Sequence, residues 1–268
     1  MSCRINKRRV WTHRLMLETI VSDTALFVTL TYNDLHLPSN LSLDPLHSKL
    51  WMKRFRRTTT KRIRFYLVGE YGTKGTRGIN PHYHVALFNA SYDDVENINK
   101  TWKKGNIHVG DLTPASASYL CGYVTKKMTQ PGDHRLKGRH PEFSRQSNRP
   151  GIGAKAMEIV GEVLFSKHAI AEMEKTGDVP RTLLHGKRSY PLGPYLRQQL
   201  RNYIGMPDEY KALATYNYSL EVQALRKNAL SDPVSKAFSL SEILAREAAP
   251  KILQLKTRQL IHETEKTL

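Results

Sequence analysis

The chain has 268 residues, with 42 Lys and Arg against 24 Asp and Glu, so its formal charge is +18 at neutral pH. Hydrophobic residues make up 40% and charged residues 25%, enough apolar content for a folded core and too much for a disordered chain. No stretch reaches the roughly 18 apolar residues of a membrane span, and MSCRINKRRVWTHRL lacks the apolar core of a signal peptide, so a soluble, unexported protein without a membrane partner is expected. Two cysteines, Cys3 and Cys121, exclude a disulfide scaffold and a cysteine zinc site and suit a reducing cytoplasm. The charge excess, with 7 Phe, 3 Trp and 13 Tyr, points to a polyanionic partner, nucleic acid first, because each phosphate neutralised releases condensed counterions.

Residues 1–24 carry Arg4, Lys7, Arg8, Arg9 and Arg14 with little periodicity and are expected to form a basic arm. ALFVTLTY, Ala25 to Tyr32, is rich in β-branched and aromatic residues and ends in a turn cluster, which predicts a buried strand. From Asp44 to Thr60, Leu46, Leu50, Trp51 and Phe55 recur at helical spacing behind an Asp-Pro start. The segment from Pro45 to Gly69 holds eight Lys and Arg and no acid. RFYLVGE (64–70) and HYHVALF (82–88), joined by a Gly-rich connection, predict an antiparallel hairpin. A helix is expected over 92–103, a short strand over 106–111, and a helix opening at Thr113-Pro114 and ending near Pro131. Residues 132–153 are basic and turn-rich, hence a loop, while 154–175, 191–205, 208–230 and 235–267 are expected to be helical. The predicted class is α+β: a central antiparallel sheet with helices on one side, and a helical C-terminal extension. Boundaries are set at 1–24 for the arm, 25–153 for the catalytic domain and 154–268 for the extension.

In Pro81-His82-Tyr83-His84 the strand period projects His82 and His84 from one face, where both can ligate one ion. Glu70, near the end of the neighbouring strand, comes within reach of the same point. Two imidazoles and a carboxylate leave coordination positions for water and a phosphate oxygen. Mg²⁺ or Mn²⁺ is expected, with Zn²⁺ able to bind in vitro. An isolated H-x-H can equally be a surface pair on an edge strand. Tyr119 and Tyr123 stand at i, i+4 on a predicted helix, with Lys126 and Lys127 one turn on. A phenol beside cationic charge can attack a phosphodiester, or such a pair can simply pack on the core.

FVTLTY (27–32), NPHYHVALF (80–88) and YLCGYVTKK (119–127), in that order, resemble the three motifs of the HUH endonucleases that initiate rolling-circle replication. More closely, LTYNDLHLP, VGEYGTKGTRGINPHYH, VGDLTPASASYLCGYVTKK and EFSRQSNRPGIG resemble the replication initiators of microviruses, especially the gokushovirus branch. That resemblance implies His82 and His84 as a metal-binding pair, Glu70 as third ligand, and Tyr123 and Tyr119 as nucleophiles. It further implies Lys126 as the lysine of Y-x-x-K, and Thr29 and Thr31 as DNA contacts. Initiators of this type often carry a basic residue just before the second tyrosine, a place held here by Gly122, so Tyr123 is the expected main nucleophile.

The implied activity is metal-assisted nicking and joining of single-stranded DNA at an origin, through a 5′-phosphotyrosine, in the cytoplasm of a bacterial host. Arg54, Arg57, Arg145 and Arg149, with Lys127, are candidate contacts to the DNA backbone. The sequence has no G-x-x-x-x-G-K-[ST] pattern, so strand separation is assigned to a host helicase or to an already single-stranded template. A non-catalytic nucleic-acid-binding protein and a metal-dependent nuclease using water remain open alternatives.

Overall fold

The computed structural model describes residues 2–72, 79–122 and 132–207, together with 220, 223 and 224. The expected stretches 208–230 and 235–267 therefore lie almost wholly outside the described residues, as do Tyr123, Lys126 and Lys127. The chain divides into two units. The first comprises Cys3–Ile170 and Val179–Gly205 and carries every described strand. The second comprises Ala171–Asp178 and Met206–Leu268, and its described part is the end of a helix with the turn that follows.

The first unit is built on a five-stranded antiparallel sheet, in the order β4-β1-β3-β2-β5. The strands are β1 (Ala25–Thr31), β2 (Arg64–Gly72), β3 (Asn80–Phe88), β4 (Ile107–Asp111) and β5 (Phe143–Gln146). The predicted α+β class and the β2–β3 pairing hold. Both β2 and β3 are buried along nearly their whole length, as central strands covered on two faces must be. One face packs Leu26, Val28, Leu30, Tyr83, Val85 and Leu87 against Trp51 and Phe55 of α2 (Pro45–Phe55) and Ile98 and Trp102 of α3 (Val95–Trp102). The other packs Tyr66, Val68, Ala86 and Phe88 against Leu15 of α1 (Ser2–Ile20) and Ala117, Leu120 and Cys121 of α4 (Pro114–Gly122). Helices thus cover both faces, not one.

The difference arises in residues 1–24. Where an aperiodic basic arm was expected there is a 19-residue helix, α1, whose polar side chains find partners far away in sequence. The Nε–H of Arg14 donates to the Ile152 carbonyl at 2.9 Å, and its guanidinium lies 4.0 Å over the Trp11 ring. Glu18 is buried against Arg64. Charges satisfied in this way do not disqualify a face from burial.

In α2 the Asp44 carboxylate caps the Leu46 N–H at 2.7 Å, and proline follows the cap as expected. The buried side is Ser48, Trp51, Met52 and Phe55, whereas the expected Leu46 and Leu50 are exposed. The helix phase is set by its entry: the Tyr83 hydroxyl donates to the Asp44 carbonyl at 2.8 Å and accepts from the Asp44 N–H at 3.1 Å. In α4, the Thr113 hydroxyl accepts from the Ser116 N–H and the Ser116 hydroxyl from the Thr113 N–H, a reciprocal cap at the predicted start. The expected loop 132–153 contains β5, the edge strand against β2. The expected helix 154–175 is two, α5 (Ala156–Leu164) and α6 (Lys167–Thr176), and a hairpin of β6 (Thr182–His185) and β7 (Arg188–Pro191) precedes α7 (Gly193–Tyr203).

Candidate metal centre

Strand register decides which side chains meet. Thr31 of β1, His82 of β3 and Glu70 of β2 lie in one row across the sheet, and Thr29, His84 and Val68 in the next. Directly paired residues share a face, so Glu70 lies beside His82 and diagonal to His84. The Nε2 atoms of His82 and His84 are 3.1 Å apart and lie 2.8 and 3.2 Å from Glu70 Oε1. Glu70 and His84 are buried, and His82 keeps a partly open edge.

The back of each ring is held. The carbonyl of Asn80 is an acceptor only, so at 2.9 Å from His82 Nδ1 it places the proton there and turns the Nε2 lone pair toward Glu70. The Thr29 hydroxyl lies 2.9 Å from His84 Nδ1 and serves the second ring in the same way. Phe27 stacks on His84 with ring centroids 5.4 Å apart. At Gly72 a Cβ would sit 3.2 Å from His82 Cε1, so the bare backbone there leaves room for the ring.

Two nitrogen lone pairs and a carboxylate oxygen facing one point form a donor set for a divalent cation, and Glu70, His82 and His84 are such a cluster among the described residues. Their separations suit three adjacent positions of an octahedral ion, since donors about 2.1 Å from a metal and at right angles stand about 3.0 Å apart. The remaining positions would face the open edge of His82.

Tyr119 belongs to this site. Its ring meets His84 edge-on at 5.5 Å between centroids and Phe27 at 6.3 Å, and the residue is 37% exposed, so α4 carries a solvent-reachable phenol to the metal-binding face. Thr29 and Thr31 also lie there, with the Thr31 hydroxyl donating to the Asn106 carbonyl at 3.1 Å. The four arginines are not gathered with them. Arg54 and Arg57 belong to α2 and the turn closing it, on the opposite face, where Arg54 Nε donates to the Thr101 carbonyl at 2.9 Å. Arg145 pairs in register with Leu67 and so shares that opposite face, and the Arg149 carbonyl accepts from Arg62, beside the start of β2 rather than the Glu70 end. Sequence reasoning missed Asn80 and Phe27, and it took Thr29 for a DNA contact. Once β1 is paired to β3, their parity places Phe27 and Thr29 on the histidine face.

An antiparallel sheet covered on both faces, with two histidines, a glutamate and a tyrosine converging at one end, defines an α+β protein with a candidate metal centre beside a phenol. Residues 25–128, which hold that centre, match the model of the family described as replication-associated protein ORF2, and this segment belongs to it. The chain is similar to replication-associated protein VP4 of Bdellovibrio phage phiMH2K, 31% identical over 203 residues, covering 67% of this chain and 62% of that protein. It is also similar to replication-associated protein ORF2 of Spiroplasma virus 4, 34% identical over 180 residues (58% and 54%), and to ORF4 of Chlamydia phage 1, 27% over 242 residues (80% and 55%). The chain thus spans 54–62% of the length of these curated relatives. No solved structure matches it.

Proposed function

We propose that the protein initiates rolling-circle replication of a small phage genome by nicking and rejoining single-stranded DNA at its origin, inside a bacterial host. The observation that carries this reading is the meeting of Glu70, His82 and His84 at one point with the Tyr119 ring against His84. Glu70, His82 and His84 would hold a magnesium or manganese ion, whose chemistry there is to polarise a non-bridging oxygen of the scissile phosphate. Asn80 and Thr29 keep both imidazoles in the tautomer that presents Nε2. A tyrosine then attacks: its phenolic oxygen bonds to phosphorus, the bond to the 3′ oxygen breaks, the phenolic proton goes to solvent, and the 3′ oxygen leaves protonated as a primer terminus. Tyr123 is assigned the first attack and Tyr119 the second, with Lys126 and Lys127 lending positive charge. Rejoining is the reverse, with a 3′ hydroxyl displacing the tyrosine. A host helicase, or a template already single-stranded, supplies the unpaired strand.

The test is incubation with labelled single-stranded DNA from the source replicon, in Mn²⁺ or EDTA, followed by a denaturing gel and mass analysis of the peptides. A metal-dependent cut with DNA on the Tyr123 peptide, lost when Tyr119→Phe and Tyr123→Phe are combined, is expected. A cut without an adduct would instead mean a water nucleophile, and binding without a cut under any metal would reduce the protein to a binding module.

A further inference from the structure

The metal centre and the densest run of positive charge lie on opposite faces of the sheet. On α2, Trp51 and Phe55 are fully buried and point to the core. The outer side presents Lys49 and Lys53, both exposed and one helical turn apart, and exposed Arg57 follows in the closing turn. Arg54 and Arg56 are tied down, to the carbonyls of Thr101 and Ile63, which leaves Lys49, Lys53 and Arg57 as the outward charges. The end of α3 extends the same face: burial first, and the nearby charges of Lys104 and Arg54 with it, push the His47 imidazolium to a lower pKa against the pull of Asp44. A single strand lying over the triad is separated from this face by the sheet and by a helix diameter of about 10 Å. These cations therefore serve a different stretch of phosphate.

Side-chain types indicate which form of nucleic acid fits. Unpaired bases are held on aromatic platforms, and the triad face has them in Phe27 and Tyr119. The aromatic residues of α2 are buried, and only Leu46 and Leu50 are exposed beside its cations. Cations about 6 Å apart on a rigid helix, with nothing to stack on bases, suit a backbone whose bases are already paired.

We propose that the outer face of α2, with Lys49, Lys53 and Arg57, is a second nucleic-acid surface that grips the phosphates of duplex DNA, apart from the single strand at the triad. Binding there is independent of base sequence and strongly salt-dependent. The proposal does not depend on nicking, and its test involves no cut.

The experiment measures fluorescence anisotropy of a blunt duplex of arbitrary sequence, about two helical turns long, in EDTA over a range of salt. The full chain is compared with Lys49→Glu/Lys53→Glu and with His82→Ala. The charge-reversed protein is expected to bind the duplex at least about tenfold more weakly at low salt, with the slope of log affinity against log salt shallower by about two. His82→Ala should bind the duplex like the parent, and Lys49→Glu/Lys53→Glu should cut a short unpaired oligonucleotide at the parental rate. The neutral pair Lys49→Gln/Lys53→Gln should fall between parent and reversed protein. Unchanged duplex affinity and slope in both α2 variants would overturn the proposal and leave α2 as a solvated face or a surface for an acidic protein. Equal losses on duplex and short single strand, at an unchanged melting temperature, would also overturn it, because the two surfaces would then be one.

Discussion

Strand β2 carries two buried charges on one face, Arg64 at its start and Glu70 near its end, and the two ends meet the cost of burial in opposite ways. At the first, Arg64 forms a buried ion pair with Glu18, its Nη2 donates to the Pro150 carbonyl at 3.0 Å, and the Gly153 N–H donates to Glu18 Oε2 at 2.6 Å. Fixed opposite charges face each other and their remaining hydrogen-bonding groups are taken up by backbone, so this end acts as a fastener joining α1, β2 and the loop after β5. At the second end, Glu70 faces two imidazoles whose nitrogens can ligate a cation. A buried carboxylate closed by a guanidinium holds the fold, and one sharing its oxygen with two imidazole lone pairs is prepared to receive an ion.

The largest effect should come from the receptive end. Removal of a ligand in His82→Ala or Glu70→Gln forfeits several kcal/mol of charge stabilisation at the phosphate, so nicking should fall by about a thousandfold. Mn²⁺ binding, followed by calorimetry, should be lost with it while the melting temperature stays near the parental value. A large drop in stability would break the comparison, since the triad would then be a second fastener.

At the closed end the expectation reverses. Arg64→Met strands a buried carboxylate and should cost about 3–5 kcal/mol in urea unfolding. Adding Glu18→Leu should restore much of it, because replacing both partners of a buried pair by apolar groups is far milder than removing one. A double variant as unstable as the single would mean that the hydrogen bonds to Pro150 and Gly153, rather than the charges, hold this corner.

Thr29 sharpens the contrast, because it acts on the metal only through His84. Thr29→Val keeps the shape and removes the hydroxyl from His84 Nδ1. Mn²⁺ affinity should weaken about 10- to 100-fold and recover in Thr29→Ser, with little change in unfolding free energy. Equal binding by the valine variant would return Thr29 to the role of a DNA contact.

Part of this contrast is legible in the sequence. His82 and His84 share a face by strand parity alone, and a short hairpin brings Glu70 beside them, so the triad follows from local pattern. What parity cannot supply is the partner of a buried charge. Glu18 and Arg64 are 46 residues apart, and Arg14 is bonded to the carbonyl of residue 152, so α1 shows too little apolar period to reveal that it covers a sheet face. The phase of α2 depends on a tyrosine hydroxyl from β3, which turned Leu46 and Leu50 outward and buried Ser48 and Met52. Strand β5 is four residues in a basic loop, defined by pairing to β2 some 80 residues earlier. The separation of Arg54 and Arg57 from the triad depends on which face α2 crosses, and no local pattern encodes that.

A third buried cluster isolates the contribution of the carboxylate. His13 on α1 repeats the geometry of His82: its Nδ1 lies 2.9 Å from the Pro191 carbonyl and its Nε2 2.9 Å from His185 Nε2, with the Tyr190 ring beside both imidazoles. No Asp or Glu joins this pair in a metal-ligand cluster among the described residues. Without an acid, burial dominates and, with His185 adding to it, outweighs the Pro191 carbonyl, lowering the His13 pKa from 6.5 to about 4. A histidine depressed in the folded state takes its proton later than the unfolded chain does, so its contribution to stability is complete above pH 6.5 and is lost as the pH falls toward 4. Below that the folded protein is protonated too and the loss levels off. Discounted for partial solvent access, the loss is about 2 kcal/mol. It should appear as the difference between parent and His13→Gln in urea unfolding at stepped pH, the variant curve being flatter from 6.5 to 4. Parallel curves would mean that His185 swings away and lets water reach His13, so that an imidazole pair needs no acid to accept charge.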